Sequence, residues 1–331
     1  MSSRLVALTL ALGACTTAEP LAVEHRSVLS YRTLGMALDR DGMRGHAGMA
    51  GTTCDFGTRM GLVDADYDFE GQKDTVTDGT DGPDGFTTVV VTGDGVHVVR
   101  PEDGSVVDVV IGKPDHGVLV GEDDVVVIGG GGDGGAGGGT DGGGTEDQPE
   151  DGGGCDAGYF HVGKRNPWST FELPAAACDR DAQVSSDRDQ RVYVGTPDGV
   201  VVVEPDGWTR LDATGDLVAW DVAADALYLA NAGEGVVRAL EADGTLRWEA
   251  DVGGAIRAVG ELGSEGAAVV SVQRGDAGAV VFLDGTTGDV RADVKTPSAA
   301  RDLVASGDGS VVGLVLKDET HFYDTAPLGG R

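Results

Sequence analysis

Carboxylates dominate the chemistry open to this chain. In DADYDFEGQKD, Asp64, Asp66, Asp68 and Glu70 stand at alternating positions, the spacing with which the first half of a D-x-D-x-D loop offers oxygen ligands to calcium. The match then fails: Phe69 occupies the place where an EF-hand loop needs glycine, and no glutamate stands at the twelfth position. The following DGTDGPDG adds Asp78, Asp81 and Asp84 as a second oxygen-rich loop. Calcium is thus the most credible ion, although in a chain with 41 aspartates such clusters also arise by chance.

Other reactive side chains are sparser. The four methionines after the first, Met36, Met43, Met49 and Met60, share a stretch with His46 and Cys54. Soft sulfur would suit Cu(I), but packing of an irregular segment explains the same residues. No C-x-x-C or H-x-x-x-H spacing supports zinc, and no G-x-S-x-G or histidine-centred triad supports hydrolysis. His161 and His321 fall in strand-like runs and read as structural. Cys155 and Cys178 flank a compact stretch and are the preferred disulfide pair, closing a loop of a size worth roughly 3 kcal/mol. Cys54 is then free or paired elsewhere.

Composition narrows the partners. Against 56 acidic residues stand 24 basic ones, a formal net charge of -32. Long-range repulsion therefore disfavours nucleic acid and other polyanions. Much Asp with only five Lys fits a salty habitat, and it equally fits high-GC coding.

The elements that must position these residues change character along the chain. Residues 16–85 lack Val-rich runs, are crowded with Gly, Asp, Met and Arg, and read as a tether with an irregular acidic region. From Phe86 onward come β-branched runs cut by tight turns: TTVVVTGDGVHVVRPEDG, GVLVGEDDVVVIGG and RVYVGTPDGVVVVEPDG. Each predicts a strand, a turn and a strand. Between Gly129 and Gly154, 15 of 26 residues are Gly, which predicts a flexible insertion between two strands. A calcium-binding nonapeptide repeat fits poorly there, since Gly143 stands where an apolar residue should pack.

A repeat of roughly forty residues organises the second half. GVVVVEPDGWTRLD, GVVRALEADGTLRWEAD and GAVVFLDGTTGDVRADV each run a strand into a turn glycine, Gly207, Gly244 or Gly288, with Arg210, Arg247 or Arg291 three residues on. That spacing suits one four-stranded propeller blade per repeat, with a β-sandwich as the alternative. The arginines could ring one surface; on outer strands they would instead offset Asp212, Glu249 and Asp293. RALEADGTLRWEADVGG from Arg238 resembles the propeller repeats of quinoprotein dehydrogenases, which implies an all-β propeller of five to seven blades, six being the best single number, over residues 86–325, with a tail at 326–331. The dehydrogenases' quinone site has no counterpart, because this chain has no vicinal cysteines. Trp208, Trp220 and Trp248 read as blade packing residues.

The amino terminus carries a second resemblance. Arg4, the apolar run Leu5–Leu12 and Leu12-Gly13-Ala14-Cys15 are similar to the signal and lipobox of bacterial lipoproteins. An ordinary signal with a chance cysteine is the alternative. The resemblance implies a signal peptide at 1–14, lipid on Cys15, a tether and irregular region at 15–85, and an exported protein held on the cell envelope, with Thr16 permitting the outer membrane. The expected role is a non-catalytic binding or scaffold propeller without a cofactor, its partner an envelope protein or other macromolecule. A calcium-dependent surface or adhesion protein and a quinoprotein-like or hydrolytic enzyme are the alternatives. Chelation separates the first two: for residues 16–331, the scaffold reading expects the same melting temperature with and without EDTA, whereas a large drop with stoichiometric calcium would favour the Asp loops.

Overall fold

Strands too short to bury both faces alone must pair with their neighbours and then stack. The computed structural model describes residues 21–29, 34–49, 52–57, 61–67, 75–82, 85–92, 95–100, 105–111, 114–121, 124–130, 155–164, 166–179, 182–187, 189–263 and 266–327. After β1 (Leu21–Leu29), successive groups of four strands form antiparallel sheets. Blade 1 holds β2 (Gly35–Leu38), β3 (Arg44–Met49), β4 (Thr52–Gly57) and β5 (Gly61–Tyr67). Blade 2 holds β6 (Thr75–Gly82), β7 (Gly85–Val91), β8 (Gly95–Arg100) and β9 (Ser105–Ile111). Blade 3 holds β10 (His116–Val120), β11 (Asp124–Gly130), β12 (Cys155–His161) and β13 (Ser169–Leu173). Blade 4 holds β14 (Val184–Ser186), β15 (Val192–Thr196), β16 (Gly199–Glu204) and β17 (Gly207–Leu211). Blade 5 holds β18 (Leu217–Asp221), β19 (Ala226–Ala230), β20 (Val236–Leu240) and β21 (Leu246–Asp251). Blade 6 holds β22 (Ala255–Glu261), β23 (Ala267–Arg274), β24 (Ala277–Asp284) and β25 (Val290–Thr296). Blade 7 holds β26 (Asp302–Ala305), β27 (Val311–Val315) and β28 (Thr320–Pro327), and takes β1 as its outer strand.

The first strands of the blades meet in chain order, and β26 meets β2, so the sheets form a closed ring: a seven-bladed β-propeller. Its core is a set of seams between blades. Val201 and Val203 of β16 face blade 3, while Val200 and Val202 face blade 5. Because alternate side chains point to opposite faces and both faces are buried, the strands read as unbroken Val runs, with no alternation of polar and apolar residues. The turn glycines Gly207, Gly244 and Gly288 join the third and fourth strands of blades 4, 5 and 6, each with positive φ, so the forty-residue repeat is the blade period.

Two boundaries differ from the sequence expectation. Among the described residues strands begin at Leu21, so the region expected to be irregular to residue 85 supplies β1, all of blade 1 and β6, and the blade count is seven, at the top of the expected range. Runs such as GMAL and RGHAGM carry no β-branched signature; Met36, Leu38, His46 and Ala47 are nonetheless buried, because packing against the neighbouring blades sets the strand state there. Gly129 and Gly130 belong to β11, paired with Asp156 and Cys155. The remainder of the expected insertion, 131–154, lies outside the described residues, between the second and third strands of blade 3.

The seam between blades 1 and 2 holds a buried polar pair. His46 Nδ1 on β3 lies 2.7 Å from Thr88 Oγ1 on β7. Burial pushes the His46 pKa down to about 4, below the ordinary value near 6.5, so the unfolded chain takes up a proton first as pH falls. This contribution is complete above about pH 6.5 and is lost toward pH 4. Denaturant unfolding at pH 7 and pH 4.5 should show wild type losing about 2–3 kcal/mol more than His46→Gln; an identical pH slope in the variant would refute the assignment.

Candidate interaction face

Each blade turns twice at one end of the ring, between its first and second strands and between its third and fourth. These hairpin turns form one face, and the turns between second and third strands, with the blade-to-blade connections, form the other. Aspartate builds the hairpin-turn face, because its short side chain reaches backbone N–H groups two or three residues on. In blade 1 the Arg44 N–H donates to Asp39 Oδ1 at 3.0 Å and the Met43 N–H to Asp41 Oδ1 at 3.1 Å. Asp187 accepts from the N–H of Asp189 and Arg191, and Asp221 from that of Ala224. Glu261 accepts from Gly263, and Asp308 from Ser310. In the outer turns Asp243 accepts from Thr245, and Asp284 from Thr286 and Thr287.

Exposed apolar side chains gather on the same face. Among the described residues, the exposed large hydrophobics are Met43, Val106, Trp168, Trp208, Val222, Leu246 and Val290 there, and only Val28 at the opposite end. Blade 5 carries two of the most exposed, Val222 at 64% and Leu246 at 54%, beside Asp225, Glu241 and Asp243. Trp208 is 41% exposed, which corrects its reading as a packing residue; its indole donates to the Glu172 carbonyl across the seam to blade 3. Trp220 and Trp248 are buried, Trp220 stacked on Tyr193 at 5.0 Å and Trp248 donating to the Gly285 carbonyl.

Buried polar groups hold this face in shape. Tyr228 donates to Asp221 Oδ2 at 2.7 Å. Burial pushes the Asp221 carboxyl above its usual range, and burial with the Asp221 charge raises Tyr228. From β21, Arg247 donates to the carbonyls of Ala224 and Asp225, at 2.6 and 2.8 Å, and through Nε and Nη2 to the Glu241 carboxylate. Asp225 itself has φ +49°, and the guanidinium fixes the turn that contains it.

The arginine series therefore lies on the outermost strands β17, β21 and β25 and forms no ring of ligands. For Arg247 the expected partner was wrong. Arg247 pairs with Glu241, Glu249 pairs with Arg238, and Asp293 pairs with Arg274. Arg247 holds two carbonyls of one turn, and Arg274 donates to the Val252 carbonyl in the connection between blades 5 and 6. The sequence pattern found the position but not this role, since the carbonyls Arg247 holds leave no trace in residue type.

The remaining sequence candidates are dispersed. Asp64 and Asp66 lie in β5 and Asp78 and Asp81 in β6, while Asp68, Glu70 and Asp84 lie outside the described residues, as does Cys15. Met36 packs in the seam between blades 7 and 1, and the Met43 sulfur accepts from Arg26. Cys155, at the start of β12, is bonded to Cys178 in a short 3-10 turn (Ala175–Cys178), Cα atoms 5.7 Å apart. Cys54 falls in β4. His161 lies 2.5 Å from Asp124, and His321 lies 2.8 Å from Glu319.

No family model and no curated protein matches the chain. Among solved structures it is similar to the β-propeller domain of Cps50 (Swd1) from Myceliophteria thermophila, with a TM-score of 0.63 and 10% identity over 92% of this chain and 99% of that one. At that identity the likeness shows the propeller fold alone.

Two arginines on β20 and β21 test the clamp. Arg247→Ala should lower stability by about 2 kcal/mol, because it frees two turn carbonyls and a carboxylate. Arg238→Ala, removing an exposed pair, should change it by under about 0.5 kcal/mol. Equal losses in denaturant melts would show that Arg247 is only a surface partner.

Proposed function

We propose that this protein is a non-catalytic binding scaffold: an exported propeller, lipid-anchored through Cys15 to the bacterial cell envelope at the outer membrane, that engages an envelope protein through its hairpin-turn face. The observation that carries the binding reading is the concentration of exposed apolar side chains on one face whose turns are fixed by capped aspartates and the Arg247 clamp. A rigid surface loses little entropy on docking, and apolar contacts inside a charged surround suit protein recognition. The net charge of -32 argues against nucleic acid as partner. The lipobox-like Leu12-Gly13-Ala14-Cys15 supports the anchor, and the quinoprotein-type repeat at Leu240–Gly254 is kept as a statement about ancestry, not chemistry.

Fold alone does not establish such a role, so the face itself must be tested. A photo-crosslinking side chain at Leu246, in protein made in its own cell type, should give a discrete protein adduct. The same probe at Asp276, on a turn at the opposite end of blade 6, should give none. Adducts of equal yield at both positions, or none at Leu246, would count against the reading. Incorporation of an alkyne fatty acid, abolished by Cys15→Ser, is the expected result for the anchor.

A further inference from the structure

The strand that closes the ring also dictates how an anchored molecule would stand on its membrane. In blade 7, Leu21 pairs with Pro327 and Leu29 with Thr320, so β1 runs from the hairpin-turn face toward the opposite face. The start of β27 fixes that direction: Val311, directly after the first hairpin turn, pairs with Asp324, and the Thr325 N–H donates to the Ser310 carbonyl in that turn. Leu21 is thus at the hairpin-turn rim of blade 7, on the outermost strand.

Cys15 precedes Leu21 by six positions. Even a fully extended chain of that length spans only about 20 Å. We infer that, in the anchored protein, the hairpin-turn edge of blade 7 is held within that distance of the bilayer and the far pole is the opposite face of blades 3 and 4. This rests on the lipid-anchor reading above. In a ring of seven, blades 3 and 4 lie across from blade 7. From blade 3, Gly130 and Cys155 lead into the glycine-rich segment 131–154 on the face away from Leu21. Gly130 and Cys155, which flank that segment, therefore lie on the other face and the other side of the ring from Leu21. Repulsion between the acidic domain and anionic headgroups favours an extended tether, but six residues cap the stand-off. A partner that docks on the hairpin-turn face near blade 7 must accordingly be embedded in the membrane or lie close to it.

The test uses full-length protein processed in a lipoprotein-producing bacterium and reconstituted in liposomes of zwitterionic lipid with acceptor-labelled headgroups. A donor dye is attached through an encoded azido side chain at Glu24, exposed near the start of β1, or at Asp198, exposed on the second-to-third-strand turn of blade 4. Energy transfer to the headgroups should be stronger from Glu24 than from Asp198. Inserting about twenty Gly/Ser residues after Ala18 should bring the two values together, since such a coil no longer restricts orientation. Equal or reversed transfer in acylated protein, or a difference indifferent to the insertion, would overturn the orientation and leave the anchor standing. Absence of acyl label on Cys15 would overturn the anchor and the orientation with it.

Discussion

The pairing of β1 with β28 is the constraint on which the ring depends. Each blade buries its faces only against its neighbours, so the seventh must be fastened to the first or one seam opens and two blade faces are bared. Eight Cα pairs join the strands, interrupted by one irregularity between His25 and Ser27. Leu21 belongs to the apolar cluster between blades 6 and 7, and Leu29 to the one between blades 7 and 1. One strand therefore supplies the outer edge of blade 7 and seals seams on both sides. The closure is topological as well as energetic, because it ties the amino-terminal end of the described chain to the carboxy-terminal end.

Between the other blades, apolar seams are registered by directed polar contacts. Tyr159 of blade 3 donates to the carbonyls of Gln190 and Val203 in blade 4, and Ser186 of blade 4 donates back to the Leu119 carbonyl in blade 3. Burial and nearby carboxylates raise the Tyr159 pKa, which keeps its hydroxyl a donor at any physiological pH. The Gln183 amide reaches the Val259 carbonyl on the inner strand of blade 6, beyond the adjacent blade. Hydrophobic burial is nondirectional, so these bonds decide which sliding position of one blade against the next is occupied. They converge on backbone atoms of turns and inner strands, and the hairpin-turn face inherits its rigidity from them.

How much of this could be read in advance depends on residue type. The Val runs of β15, β16, β23 and β24 announce strands, and the recurrent Gly-x-x-Arg after Gly207, Gly244 and Gly288 announces a blade period. The first two strands of blade 1 carried no such signal: GMAL and RGHAGM owe their strand state to tertiary burial of Met36, Leu38, His46 and Ala47 between neighbouring blades. The candidate face was less legible still. Exposure of Val222 and Leu246 depends on where a turn lies in the ring, and the Arg247 clamp acts on carbonyls that any sequence would provide. Pairing Arg247 with Glu249 by proximity in sequence failed because the β20–β21 register sets Glu249 opposite Arg238, while Arg247 reaches Glu241 across the hairpin.

The acidity of the chain gains a structural cause beyond habitat and coding bias. Aspartates at the hairpin turns of blades 1, 4, 5, 6 and 7 accept backbone N–H bonds within their own turns, a task for which Lys and Arg have no acceptor and Glu is usually too long. With two such turns in each blade, the architecture calls for aspartate repeatedly, and at the opposite end Asp216 and Asp251 accept from Ala232 and Gly253 in the same way. These bonds are short-range and stay largely indifferent to salt, whereas mutual repulsion of the same charges is screened within about 10 Å at 0.1 M ionic strength. Moderate salt should therefore relieve the cost of the acidic turns without weakening the bonds that shape them. A chain that builds its turns this way acquires negative charge at its turns as a by-product of folding.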